Sequence, residues 1–397
     1  MNKMPRVVVT GVGIASCIGN TYLDVQKSLQ ECRDGLGPVT LFSTSAIHPV
    51  GEVKIDTCAK EGKFRIHAII DHAVQDALSS SGLLEEKHAY KDIGISLGTC
   101  TSGMTEMEDS FSLLKRGEKN KIPLSKPLSM GIVIDDIALQ YGIHGIKMLF
   151  STACSSSSNA IACAFHSIRQ KKCRAMIAGG ADALCRLTYY GFQSLKIMAE
   201  GKCTPFQTAR KGMNLAEGSG ILVLESLESA QKRNAKIYAE LIGAGTSTDA
   251  YHMSAPDPMG KGAYKAMKIS LDCASISPKE VGYISSHGTG TPQNDEIETI
   301  AIQNLFAECS CKPWVNSIKS YLGHTLGASG AIASVCAINS LETGFIPPTL
   351  RLENMDPKCD LRHPPQGGIK ENISTALVNS FGFGGNNTSL VFKKFYE

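Results

Sequence analysis

One pattern of elements runs twice along this chain, and that repeat limits the fold more than any other feature. Residues 6–16, Arg-Val-Val-Val-Thr-Gly-Val-Gly-Ile-Ala-Ser, read as a buried strand closing on glycine, and residues 237–247 read as the same kind of object. Met148-Leu-Phe-Ser-Thr-Ala-Cys154 leads from a strand into an apolar helix near 159–168. Trp314–Ser317 and the turn that follows lead in the same way into the apolar helix Ala331–Leu341. The strands 374–379 and 389–394 echo 174–180 and 219–225. A repeat of this length indicates two βα halves, about 1–235 and 236–397, each with a mostly parallel sheet. No linker-like segment separates them, so the halves are expected to share one core. Their equivalent helices should face one another, bringing the turn at Cys154 and the turn at 319–330 together near a pseudo-twofold axis.

The chain has 397 residues and is 43% hydrophobic, ample for a large core. A net charge of +3 gives no indication of nucleic-acid binding. The fourteen cysteines are scattered without zinc-type CxxC pairs, and Cys309 and Cys311 have no partner cluster, so no metal site is expected. That usage suits a reducing cytoplasm. The apolar run after the first residues is β-branched and broken by glycine, a first strand and not a signal peptide. No run is long enough to span a membrane.

Cys154 sits where a strand turns into a helix, among small residues that let a substrate approach closely. The positive end of a helix favours thiolate, which makes Cys154 the candidate nucleophile. His287 closes a strand and opens Gly-Thr-Gly-Thr. Asp295 and Glu298 follow three residues apart on one helical face. Lys319, on a buried turn, needs a carboxylate partner, and Glu298 is the expected one. His324 opens a glycine-rich helix start, and the loop Phe381-Gly-Phe383-Gly-Gly can present a backbone N–H. A cysteine, two histidines and a lysine on converging turns point to acyl transfer through a thioester.

These motifs resemble the elongating β-ketoacyl-[acyl-carrier-protein] synthases of the thiolase superfamily over nearly the whole chain. The resemblance rests on Thr-Ala-Cys154-Ser, Ala-Gly-Gly-Ala-Asp182, Ala-Glu-Gly-Ser-Gly, His287-Gly-Thr-Gly-Thr-Pro with Asp295 and Glu298, Lys319-Ser-Tyr-Leu-Gly-His324, Ile346-Pro-Pro-Thr and Asn379-Ser-Phe-Gly-Phe383-Gly-Gly. It implies a five-layered αβαβα fold, a homodimer and carrier-protein substrates. By the same resemblance Cys154, His287 and His324 form the catalytic triad, with Lys319, paired with Glu298, orienting His324. The N–H groups of Cys154 and Phe383 would form the oxyanion hole. Thr289 and Thr291 would bind the pantetheine arm, and Phe383, Phe192 and Thr101 would gate and line the acyl pocket. Lys60, Lys63 and Arg65 are candidates for docking the acidic carrier protein. Cofactors and metals are not implied.

Departures from the family pattern are Thr101 for a bulkier apolar residue, Lys211 where Asp is usual and Asn386 where Thr is usual. They keep open a specialised ketosynthase of a polyketide or aryl-polyene type, and a heterodimer with a ketosynthase-like subunit. A thiolase would be expected to carry a second cysteine near the C-terminal glycine loop, a starter-type synthase Asn in place of His324, and a non-catalytic chain-length factor would be expected to lack Cys154.

Overall fold

The computed structural model describes residues 4–55, 65–83, 92–118, 131–310 and 312–396. Lys60, Lys63 and the Lys-rich stretch 119–130 lie outside them. Ten strands form the main sheet structure: β1 (Val7–Ala15), β2 (Ile93–Gly98), β3 (Lys147–Phe150), β4 (Ala175–Asp182), β5 (Gly218–Ser226), β6 (Ala239–Thr248), β7 (Tyr283–Ser285), β8 (Trp314–Asn316), β9 (Thr375–Gly382) and β10 (Asn386–Lys393). Six helices cover them: α1 (Arg65–Ser81), α2 (Ile132–Gln140), α3 (Ser156–Arg169), α4 (Lys261–Ala274), α5 (Pro292–Leu305) and α6 (Ser329–Thr343).

The repeat is exact in topology. The first five strands lie in the order β1-β5-β4-β2-β3 and the second five in the order β6-β10-β9-β7-β8. In each set the first two neighbouring pairs are antiparallel and the last two parallel. Each half is therefore mixed, with as many antiparallel as parallel pairs and not mostly parallel, because its last strand in sequence returns antiparallel between the first strand and the three parallel ones. They join where β1 pairs with β6, from Val7↔Leu241 to Val9↔Ala239.

Burial patterns explain the layers. Every residue of β1 and β4 is buried, which is why both strands read as continuous apolar and glycine runs. Helix α1 buries Ile66, Ile69, Ile70, Ala73, Val74, Ala77 and Leu78, the spacing of a single apolar stripe laid on one sheet. Helix α6 has no such stripe: Ser329 to Leu341 is buried throughout. It packs against α3 and touches both sheets, so these two helices are the middle layer. Each wholly buried Ile332, Val335, Ile338 and Leu341 contributes about 2 kcal/mol of apolar burial. Helices α1 and α2 pack outside one sheet, α4 and α5 outside the other, completing the five layers. Helix α4 does not appear in the sequence reading.

Helices α3 and α6 approach closely at their N-terminal ends. A Cβ on Gly330 would overlap Ser158 Oγ, and the Ala331 N–H donates to Ser157 Oγ at 3.0 Å. The serine run after Cys154 is used residue by residue. Ser155 donates to the Thr152 carbonyl, Ser156 to that of Ala153, and Ser158 pairs with Ser380 at the end of β9.

Candidate active site

The two pseudo-equivalent turns meet at a cavity of about 430 Å³ whose wall includes Cys154, Phe192, His287, Thr289, Thr291, His324 and Phe383. Cys154 precedes α3 and follows Ala153, which is held at φ 51°. That left-handed residue makes the bend sharp enough to point the thiol out of the helix start. The Cys154 sulfur and one ring nitrogen each of His287 and His324 all lie within 4.8 Å of one another.

The ring tautomers follow from their partners. The Leu326 N–H donates to His324 Nδ1 at 3.1 Å, so the His324 proton is on Nε2. That Nε2 is buried and has no hydrogen-bond partner among the described residues, in a ring on the cavity wall. Lys319 Nζ lies 3.4 Å from His287 Nδ1 and donates to the His287 carbonyl oxygen. An ammonium has only protons to give, so His287 too carries its proton on Nε2. The rings meet edge to face with centroids 5.3 Å apart. Burial and the charge of Lys319 push both imidazoles well below 6.5, leaving them neutral hydrogen-bond donors.

Two sequence expectations need correction here. Lys319 holds His287 and not His324, because the β8–α6 turn carries its ammonium back to the end of β7. Glu298 is not its contact partner: the carboxylate accepts the N–H groups of His287 and Gly288 at 2.8 Å each and Asn379 Nδ2 at 3.2 Å. Glu298 clamps the His287 turn from beneath and acts on Lys319 through its field. Burial drives Glu298 up to about 7 and Lys319 down to about 8, and the charge of Glu298 is the largest influence opposing the drop in Lys319.

The thiol also differs from what a helix start alone would give. Burial pushes Cys154 up to about 11, with Lys319 and the backbone groups of Phe383 and Cys154 pulling the other way. Desolvation outweighs the helix start. The contact with Phe383 places its loop at the sulfur, and Gly382 lies so close that a Cβ there would sit 3.1 Å from the Cys154 nitrogen. Phe383 stacks on Phe192 with centroids 5.8 Å apart, closing one side of the cavity. The departure Asn386 donates to the Phe383 carbonyl at 3.3 Å. Thr289 and Thr291 lie at the rim, their hydroxyls 2.9 Å apart.

Thr101 is not on the cavity wall. Its N–H and its hydroxyl both turn to the Asp182 carboxylate, each at 2.8 Å. A polar residue is held there by a buried acid and takes no part in lining the cavity. Arg65 is likewise turned inward, its guanidinium paired with Glu217 and bonded to the Val53 carbonyl, so it is not a docking residue. In the sequence Asp182 is only part of a motif; a lone Asp at a strand end carries no sign of the contacts it makes.

Cys154, His287 and His324 are the one grouping of metal-ligand type among the described residues. A metal would need the bare Nε2 atoms, with Nδ1 donating to an outer partner. Here both Nδ1 atoms accept and an ammonium stands beside them. The donor set fits hydrogen bonding to an anionic oxygen instead.

Residues 4–230 match the family described as beta-ketoacyl synthase, N-terminal domain, and residues 238–353 match its C-terminal domain. A 3-oxoacyl-[acyl-carrier-protein] synthase 2 of Synechocystis sp. is 39% identical over 98% of both chains. One of Staphylococcus aureus is 36% identical over the full length of both. Among solved structures, the ishigamide ketosynthase/chain length factor superposes with a TM-score of 0.94 at 30% identity, over 99% of this chain and 100% of that one. A type II polyketide ketosynthase in complex with its acyl-carrier protein gives 0.89 at 29% identity, over 99% and 100%. With both halves matched and relatives at this identity along its whole length, the chain belongs to the beta-ketoacyl synthase family.

Proposed function

We propose that this chain catalyses decarboxylative condensation of malonyl-carrier protein with an acyl group carried on Cys154, extending a fatty acyl chain by two carbons. The observation that carries this reading is a pair of buried imidazoles that each bring a ring nitrogen within 4.8 Å of the Cys154 sulfur, with Nδ1 of each already taken by Lys319 or the Leu326 N–H, which leaves Nε2–H as the group each can donate. In the first half-reaction Cys154 sulfur attacks the acyl thioester of the carrier. The oxyanion is met by the N–H groups of Cys154 and Phe383, each such donor worth about 3 kcal/mol. The carrier thiol leaves with the proton that Cys154 gives up, so the transfer is proton-neutral. In the second half-reaction the malonyl thioester carbonyl lies against the two Nε2–H groups. Its carboxylate departs as CO2, the bonding pair moves into the enolate, and the α-carbon attacks the acyl carbonyl. Cys154 leaves as thiolate and takes up one proton from solvent, the proton that the decarboxylative condensation consumes. No cofactor enters these steps, and the site's own hydrogen bonds supply the electrophilic support.

Substrates arrive on the phosphopantetheine arm of acyl-carrier protein, with Thr289 and Thr291 at the rim to meet it. For the protein body, Lys196 and Lys211 are better placed than Arg65. Both are exposed, neither has an acidic partner among the described residues, and they flank Leu195, Ile197 and Met213 on the cavity wall. The backbone bonds Met213 N to Ile197 O and Ala199 N to Met213 O hold the two segments together. A second copy of the chain is the expected partner at the open edge strand β3. Beside that proposal, the exposed Met107, Phe111 and Leu114 on the helix Met104–Lys115 share one face. Solved neighbours described as ketosynthases with chain length factors support a second reading, a ketosynthase of a specialised pathway paired with a ketosynthase-like subunit.

Incubation with malonyl-carrier protein and acyl-carrier proteins of graded length, with products read by mass, tests the reading. Products two carbons longer with release of CO2 support it. Free acid or acetoacetyl exchange without CO2 release contradicts it.

A further inference from the structure

Asp182 ends β4 with no exposed surface, and its carboxylate collects donors from two turns that are far apart in sequence. Oδ1 accepts from Thr99 Oγ1 at 2.7 Å, from Cys100 N at 2.9 Å, and from the Thr101 N–H and hydroxyl at 2.8 Å each. Oδ2 accepts from Gly327 N at 2.6 Å and from Cys100 N at 3.0 Å. No cation pairs with it among the described residues; hydrogen bonds alone satisfy it.

Both ends of this cluster reach the reacting groups. Cys100 Sγ lies 3.1 Å from the carbonyl of Ala153, the residue that sets the Cys154 bend. Gly327 follows Leu326, whose N–H fixes the His324 tautomer. The repeat gives the arrangement a meaning. Asp182 ends β4 as Gly382 ends β9. Leu326 at φ 49° repeats the left-handed turn of Ala153 at φ 51°. Gly382 places no side chain at the Cys154 nitrogen, from which a Cβ there would lie 3.1 Å, and both residues line the cavity. Asp182 puts a carboxylate on the corresponding N–H, that of Gly327, where a Cβ would itself lie 2.6 Å from Oδ2. At one of two related backbone N–H groups stands a glycine, and at the other a carboxylate that accepts it.

We infer that Asp182 is a positioning residue, a buried carboxylate that ties the His324 turn to the Cys154 turn and so sets the spacing between imidazole and thiol. It touches no substrate. Its charge also acts on Cys154, opposing thiolate formation. The inference rests on the proposed condensing reaction.

Asp182→Asn keeps the shape but puts an amide NH2 against the N–H of Gly327 or those of Cys100 and Thr101, a donor facing a donor. Two half-reactions are measured: CO2 release from malonyl-carrier protein, which uses His324, and acylation of Cys154. In parallel, the rate of Cys154 alkylation by iodoacetamide is followed against pH. The expected result is at least a tenfold loss of CO2 release, a smaller loss of acylation, and an alkylation profile moved to lower pH. Asp182→Glu, which keeps the charge, leaves the profile in place. Equal losses in both half-reactions with an unmoved profile, or unchanged CO2 release, overturn the inference. If the Asn variant does not fold, Thr101→Val, which removes one donor, shows a smaller loss of CO2 release in the same direction; no change there also overturns it. A wild-type protein that releases no CO2 refutes the condensing reading itself, a separate outcome.

Discussion

Replacing Lys319 by methionine is expected to make the protein more stable and inactive at once. Lys319 is buried, and burial lowers it from 10.5 to about 8. Each unit of that shift is worth about 1.4 kcal/mol, so holding the ammonium inside the fold costs about 3 kcal/mol. The folded-state value lies below the unfolded one. The penalty is therefore fully present below about pH 8, shrinks as pH rises, and is gone above 10.5. Methionine removes it but leaves the His287 carbonyl without its donor, a loss of about 1–2 kcal/mol. The net gain is about 1–2 kcal/mol at pH 7. At pH 9.5 about 2 kcal/mol of the penalty has already disappeared from the wild type, so the gain vanishes or reverses. Urea unfolding at both pH values reads the difference, and CO2 release from malonyl-carrier protein reads the loss of the His287 tautomer lock. A methionine variant less stable than wild type at pH 7, or a stability difference unchanged between the two pH values, refutes the assignment of Lys319 as a buried, destabilising cation kept for function.

Further expectations follow from the same geometry. His324→Ala removes one of two donors to the enolate oxygen, and CO2 release should fall about 10²–10³-fold in a rapid assay; an unchanged rate removes His324 from the chemistry. Gly330→Ala brings a Cβ onto Ser158 at the α3–α6 crossing and should lower stability by about 1–3 kcal/mol in urea unfolding, whereas a neutral result would show that the crossing yields easily. Lys196→Glu combined with Lys211→Glu should raise KM for acyl-carrier protein at low salt by tenfold or more while acylation by a small acyl thioester stays as it was; equal effects on both substrates would place the lysines elsewhere in the reaction.

The fold was legible because the chain writes its pattern twice, in glycine-closed strands and in two apolar helices that have no polar face. Helix α4 carries a weak sequence signal because its buried residues, Gly262, Ala263, Ala266, Met267, Ser270 and Leu271, are mostly small and stand among lysines. Cys154, His287 and His324 were visible as chemically costly residues on turns. Their partners were not, since hydrogen bonds depend on where turns close in space. The sequence places Lys319 on His324, and it closes on His287; it pairs Glu298 with Lys319, and that carboxylate takes two backbone N–H groups. Thr101 has the right sequence neighbourhood for the acyl pocket, but a buried acid nearby decides its direction. The thiol shows the same limit: a helix start is readable from sequence, and the depth of burial that overrides it is not.

The central claim is that Cys154 carries the growing chain as a thioester, and intact-mass analysis tests it most directly. Wild-type protein mixed with acyl-carrier protein should gain the mass of one acyl group, mapped to the peptide containing Cys154 and discharged when malonyl-carrier protein is added. Cys154→Ala should gain nothing. An acyl adduct that persists in Cys154→Ala, or one on wild type that malonyl-carrier protein does not discharge, would contradict the account.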